Sequence, residues 1–153
     1  MTDVRPPSVA LDDQLCFALY AASRAVTARY RPMLEKIGLT YPQYLVMMLL
    51  WERDEQTVGQ LGSRLALDSG TLSPLLKRLT AAGLVTRERR VDDERSVSIA
   101  LTDAGRALEA EAYAVSEEMI SAIGMDAQTF DELKQQLLVI VDRVGVGSTK
   151  VSL

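Results

Sequence analysis

The strongest constraint on this chain is a change of period at Leu84. From Thr57 to Gly83, apolar residues recur at helical spacing: Val58, Leu61 and Leu65, then Leu72, Leu75, Leu76 and Leu79. From Leu84 the pattern alternates, in LVTRERR and again in SVSIAL, where Val97, Ile99 and Leu101 share one face. The polar segment Val91-Asp92-Asp93-Glu94-Arg95 joins the two runs as a hairpin tip. Thr57 is placed to cap a helix over 58–65, and Asp68 or Ser69 to cap the next, which Gly83 closes. Pro74 fits that second helix only in its first turn, or if that turn is distorted. Two short helices followed by a charged hairpin outline a winged helix-turn-helix.

The flanks are helical and lack a layer of their own. A helix is expected from Leu11–Asp13 with Asp12 as cap, its apolar face running through Leu15, Leu19, Ala22, Val26, Met33, Leu34 and Ile37. Pro32 should kink or restart it, and Gly38 should end it in a left-handed conformation. Thr40-Tyr41-Pro42 starts a buried helix over about 43–53. Thr102-Asp103 caps a long helix to about Ile123, with a stripe of Ala104, Leu108, Ala112, Val115, Met119 and Ile123. After Gly124, Asp126 starts a last helix bearing Phe130, Leu133, Leu137, Ile140, Val141 and Val144. These long amphipathic helices need a partner, and a second copy of the chain is the simplest one. The expected fold is mainly α with a small β-wing. One subunit spans 1–153, with dimerisation helices over 11–38 and 102–145 and a winged helix-turn-helix over 42–101. The segments before about residue 11 and after Gly145 are expected to be loose.

Composition removes several function classes. The chain has no histidine and one cysteine, which excludes an intrachain disulfide framework and removes the commonest metal ligand and general base. Neither a signal peptide nor an apolar run long enough to span a bilayer is visible, so a cytoplasmic, metal-free and cofactor-free protein with no membrane association is expected. The net charge is −4, which argues against indiscriminate nucleic-acid binding. Its distribution is uneven, however: residues 56–101 carry net +2, against −1 before them and −5 after.

Two groups of residues carry chemistry. The second helix of the pair opens with Ser69, Thr71 and Ser73 and places Lys77 and Arg78 further on. Short hydroxyls and backbone N–H groups at a helix start can meet phosphates, and Lys or Arg can reach phosphates or guanine edges. Arg87, Arg89, Arg90 and Arg95 load the wing, where arginine suits a narrow minor groove. Basic content alone would suit a solvated surface equally well; the order of elements favours double-stranded DNA. The second group surrounds Cys16. Near a helix N-terminus the thiolate, the reactive form, is favoured, and tyrosine hydroxyls can hydrogen-bond it. A lone cysteine is also often a small buried apolar residue, and the spacing leaves both roles open. Tyr30 is fourteen residues beyond Cys16. On a continuous helix that is about 21 Å, so the two cannot touch within one chain. Tyr20, four residues on, is the only tyrosine close enough on the same helix to be local, and Phe17 adjoins the cysteine.

LDDQLCFALY, YRPMLEKIGLTYPQYLVMMLLWE, LDSGTLSPLLKRL and DDERSVSIALTDAG together resemble the organic-hydroperoxide-sensing repressors of the MarR family, over about residues 11–106. Asp93-x-Arg95 followed by Leu101-Thr102 fits the broad family; QLCF with TYPQY is the narrower mark of the peroxide-sensing branch. The resemblance implies a homodimer with Cys16 as the peroxidatic residue. It implies that Tyr30 and Tyr41 of the partner subunit hydrogen-bond Cys16, that 69–78 is the recognition helix, and that Asp93 positions Arg95. Without a second cysteine the chain resembles the one-cysteine kind. Organic hydroperoxide would then be the oxidant, and a small cellular thiol would form a mixed disulfide with Cys16. Two other readings remain: a MarR-type repressor released by a phenolic or drug-like ligand, with Cys16 a core residue, and a thiol peroxidase, which the missing resolving cysteine disfavours.

Overall fold

The structure is a computed structural model that describes residues 6–89 and 96–145. After a short 3-10 turn at Leu11–Asp13 the elements are α1 (Leu15–Glu35), α2 (Tyr41–Glu52), β1 (Gln56–Thr57), α3 (Val58–Leu65), α4 (Ser69–Ala81), β2 (Val85–Arg89), β3 (Val97–Leu101), α5 (Asp103–Ala107), α6 (Glu109–Ile123) and α7 (Ala127–Val144). The three strands form one antiparallel sheet in the order β1-β3-β2. Val85 pairs with Leu101 and Arg89 with Val97, so the apolar alternation of β3 meets the core along one face. The expected winged helix-turn-helix is therefore present, with a third strand that was not anticipated. β1 is two residues long, too short for an alternation to register.

The start signals act as their chemistry requires. Thr40 and Thr57 each form a reciprocal capping box, with Gln43 and Gln60 respectively. Asp68 caps α4 and Thr102 caps α5 through their side-chain oxygens. At Gly38, with φ 70°, the N–H of Leu39 reaches back to the Leu34 carbonyl and that of Gly38 to Glu35. That crossed pair satisfies the last carbonyls of α1. The end of α2 falls where expected, but the side-chain bonds that close it were not anticipated. There the buried Gln56 donates its side-chain amide to the carbonyls of Leu49 and Arg53, both at 2.6 Å.

Four expectations need correction. Asp12 caps nothing: it sits inside the 3-10 turn, and α1 begins after Gln14 with no side-chain cap. Pro32 does not restart α1, which runs unbroken to Glu35. A proline inside a helix costs about 3 kcal/mol; burial of Met33 and Leu34 and the closure at Gly38 hold the turn that contains it. Pro74 likewise lies inside α4, beyond its first turn, with Leu72, Leu75, Leu76 and Leu79 buried around it. The helix expected from 102 to 123 is jointed at Leu108, between α5 and α6.

The core sits under the helix pair and the sheet. Leu34, Met47, Leu50, Leu61, Leu72, Leu76, Leu79 and Ile99 are fully buried, each contributing about 1.5–3 kcal/mol of transfer free energy. By contrast, α7 buries none of its residues, and α1 buries none before Met33. Leu15, Leu133, Leu137, Val141 and Val144 are exposed. None of the helices among the described residues is long and apolar enough to cross a membrane.

Candidate redox site and nucleic-acid interface

Cys16 is the second residue of α1, and it is exposed. It lies in the first helical turn, as expected, though the turn is entered through Gln14 rather than capped by Asp12. Phe17 beside it is 39% exposed. Tyr20 is one turn on, but its hydroxyl accepts a 2.9 Å hydrogen bond from Arg24, whose guanidinium also lies over the ring. Its local partner is thus Arg24. Because α1 is continuous, Tyr30 stands about 21 Å along the axis from the Cys16 of its own chain.

Tyr30 and Tyr41 come together instead at the far end of α1. Their ring centroids are 4.8 Å apart, and Tyr44, which the residue spacing did not single out, lies 5.8 Å from Tyr30 and 6.5 Å from Tyr41. Burial, with the nearby Tyr44 and Tyr41 phenols, pushes the Tyr30 hydroxyl up to about 12. Burial also raises Tyr41, and burial with the Tyr41 phenol raises Tyr44. Desolvation disfavours a phenolate, so all three stay protonated and able to donate hydrogen bonds. Tyr44 continues the aromatic chain to Trp51, 6.3 Å away and edge-on. The only sequence signal for these two was the placement of Tyr41, Tyr44 and Trp51 at helical spacing along α2.

The second helix of the pair, α4, turns Ser69, Thr71, Ser73, Lys77 and Arg78 outward while its leucines face the core. Ser69, Ser73 and Lys77 follow one another at intervals of four and form a row along the helix. Thr71 is more constrained than its position suggested. Its backbone N–H donates to Asp68 at 2.8 Å and its hydroxyl donates to the same carboxylate at 3.1 Å. Those bonds hold the Asp68 carboxyl below the ordinary carboxylate range, and they place a negative charge where a phosphate would otherwise dock. Arg87 and Arg89 are exposed on β2, at the sheet edge. Arg90, Asp93 and Arg95 lie outside the described residues.

The base of the wing is tied to the helices by polar bonds that spacing did not reveal. Asp54 accepts the N–H of Leu101 at 2.8 Å and pairs with Arg106 at 2.7 Å. Burial would raise its carboxyl, but the Leu101 and Glu55 N–H groups and the Arg106 guanidinium outweigh that and lower it. Trp51 donates its indole N–H to the Gly105 carbonyl at 2.9 Å. No cluster of metal-binding side chains occurs among the described residues.

A second helix with an exposed polar face beside an arginine-bearing two-stranded wing, on a core shared with long peripheral helices, defines a winged-helix DNA-binding regulator. The family profile described as transcriptional regulator SarA/Rot matches residues 28–111. The organic hydroperoxide resistance transcriptional regulator of Bacillus subtilis is 48% identical over 82% of this chain and 83% of its own length. The HTH-type transcriptional regulator TtmR of Methylorubrum extorquens is 51% identical over 83% of this chain and 64% of its own length. The structure of reduced AbfR bound to DNA superposes with a TM-score of 0.69 at 41% identity, covering 86% of this chain and 95% of that one. The chain belongs to the MarR- and SarA/Rot-type transcriptional regulators, in the branch of the organic hydroperoxide resistance regulator, and carries a single cysteine.

Proposed function

We propose that this protein is a cytoplasmic, homodimeric repressor that binds a two-fold operator and leaves it when an organic hydroperoxide oxidises Cys16. One observation carries the reading: the only cysteine is exposed at one end of an unbroken α1, and the protonated Tyr30–Tyr41 pair sits at the other. The two meet if a second copy covers the exposed faces of α1 and α7, placing Cys16 of one subunit against Tyr30 and Tyr41 of the partner subunit. An 18-residue amphipathic helix with no buried residue supports such a partner, since most helical stability in proteins comes from tertiary packing of the apolar face.

The chemistry follows from the thiolate. Cys16 sulfur attacks the terminal peroxide oxygen, the O–O bond breaks, and the alkoxide leaves with a proton as the alcohol; the product is a sulfenic acid. A small cellular thiol then attacks that sulfur, water leaves, and a mixed disulfide remains. The new bulk at the interface breaks the Cys–Tyr hydrogen bonds. Ser69, Ser73, Lys77 and Arg78, with Thr71 holding the helix start, serve the major groove, and Arg87, Arg89, Arg90 and Arg95, the last positioned by Asp93, serve the wing. Two half-sites at fixed separation must be met together, so a small rotation between subunits costs much affinity.

Mixed dimers test this. One chain carries Cys16→Ser and the other Tyr30→Phe with Tyr41→Phe. If the site is shared, the intact cysteine faces intact tyrosines and oxidises at the wild-type rate. Oxidation as slow as in the Tyr30→Phe, Tyr41→Phe homodimer would refute it. A second reading, release by a non-covalent aromatic ligand, is favoured by a groove of about 310 Å³ between α2 and α6, lined by Tyr44, Met48, Trp51 and Tyr113. Operator release by phenolic ligands but not by cumene hydroperoxide would decide for it.

A further inference from the structure

Trp51 is the only tryptophan in the chain, and it stands where the DNA-reading part meets the peripheral helices. α5 follows directly from the wing strand β3, and α6 begins beyond Leu108. In an unbroken helix the Gly105 carbonyl would accept the N–H of residue 109. At this joint it accepts the indole N–H of Trp51 at 2.9 Å. A side chain reaching into the backbone ladder is a known cause of a bend between helical segments. Gly105 is also where α5 lies against the wing: a Cβ there would collide with the Leu84 carbonyl oxygen, and that oxygen accepts the N–H of Thr102 at 3.0 Å. One indole thus grips the joint at the residue that seats α5 on the base of β2.

The other side of Trp51 meets the tyrosines. Tyr44 is 6.3 Å away, edge-on, and it contacts both Tyr30 and Tyr41. Tyr41, Tyr44, Met48 and Trp51 run along one stripe of α2. The groove of about 310 Å³ beside Tyr44 and Trp51 gives both rings space to move.

We propose that the Trp51–Gly105 hydrogen bond is a latch on the α5–α6 joint, and that Tyr44 passes displacement of the Tyr30–Tyr41 pair to it. Trp51 and Tyr44 are positioning residues: they act on the angle between wing and α6 through Gly105. The proposal rests on the redox reading above, because that reading supplies the event that displaces the tyrosines. With the latch closed, the wing and α4 keep the orientation that suits two half-sites. Opening it frees the joint and the spacing is lost.

Operator affinity of the full-length dimer, before and after cumene hydroperoxide with added thiol, is measured for the wild type and for Trp51→Phe. Cys16 modification is followed by mass in the same samples. The phenylalanine keeps a ring against Tyr44 and removes the N–H. The expected result is oxidation at the wild-type rate with the reduced-to-oxidised affinity ratio smaller by at least about threefold. The one indole N–H resonance of the unmutated protein gives a second reading that needs no variant. It should exchange with solvent about tenfold faster after oxidation, as a broken hydrogen bond would allow. A wild-type affinity ratio in Trp51→Phe, or an unchanged indole exchange rate, overturns the latch while leaving the redox reading intact. Wild-type protein that stays on its operator after Cys16 oxidation refutes the redox reading and the latch together.

Discussion

Gly105→Ala tests the packing that joins wing to helix. Alanine's Cβ would overlap the Leu84 carbonyl oxygen and stand 3.1 Å from the Leu84 carbonyl carbon and 3.3 Å from Leu101 Cδ2. Neither the oxygen nor its carbon is a flexible side-chain end, so backbone must move. Overpacking of this kind costs about 1–3 kcal/mol. Separating α5 from β2 also disturbs two hydrogen bonds, Thr102 N–H to Leu84 and Trp51 Nε1–H to Gly105, at about 1 kcal/mol each. Alanine returns up to about 1 kcal/mol through its better helix propensity. The net expectation is a loss of about 2–4 kcal/mol, or about 4–16 °C in Tm for a chain of this size. Urea unfolding followed by far-ultraviolet circular dichroism measures it, at matched protein concentration because the stability of the proposed dimer would depend on it. A loss below about 0.5 kcal/mol, the range of an ordinary surface substitution, would mean that α5 slides off Leu84 freely, and the close contact would carry no weight.

Asp54→Ala strands the Leu101 N–H and frees Arg106, and should cost about 1–3 kcal/mol at neutral pH. Because the folded Asp54 carboxyl is lowered, its contribution is full above the unfolded value near 3.9 and disappears as pH falls through the folded one. Wild type and variant should therefore converge in acid; a gap that persists undiminished there would contradict the role of the charge. Tyr30 titrates at about 12, above an unfolded phenol near 10, so its share of stability is complete below about pH 10 and lost as pH rises through about 12. An ultraviolet phenolate titration in which Tyr30→Phe removes the latest-titrating phenol confirms this, and loss of an ordinary one refutes it. Lys77→Ala and Arg78→Ala should each weaken operator binding and, for a phosphate contact, reduce the salt slope of binding by about 1; an unchanged slope and affinity in both would take α4 out of the groove.

The helices and wing were legible because their signals are local. Thr40, Thr57, Asp68 and Thr102 cap where their side chains predict, since an N-cap needs only the next three residues. The exposed residues of α4 follow from a stripe of buried leucines by elimination. The prolines misled for the opposite reason. Pro32 and Pro74 break helices by a local rule, and both are overruled by burial from other parts of the chain, at Met33 and Leu34 and at Leu75 and Leu76. β1, the Gln56 cap and the Asp54–Arg106 pair all depend on contacts between segments distant in sequence, and no spacing encodes those.

The candidate redox site shows where local inference stops. Cys16 and the tyrosines were visible as residues, and fourteen positions of helix were enough to separate Cys16 from Tyr30. The place of Tyr41 was less certain, because Pro32 stands between it and that stretch of helix. Had α1 restarted at Pro32, the second segment could have folded back and brought Tyr41 toward Cys16 within one chain. The unbroken helix removes that route: Tyr30 lies on the same rod as Cys16, and Tyr41 is fixed against Tyr30 at 4.8 Å. A cysteine–tyrosine contact then has to come from a second copy, and the faces of α1 and α7 that such a copy would cover are the ones left exposed. On the proposed dimer, coupling to DNA would need no long path. Tyr44 touches the tyrosine pair, Trp51 touches Tyr44, and Gly105 at the base of the wing accepts the Trp51 N–H. A thiol supplied by a neighbouring subunit would put the oxidation event beside α2, the helix whose other end already holds the wing.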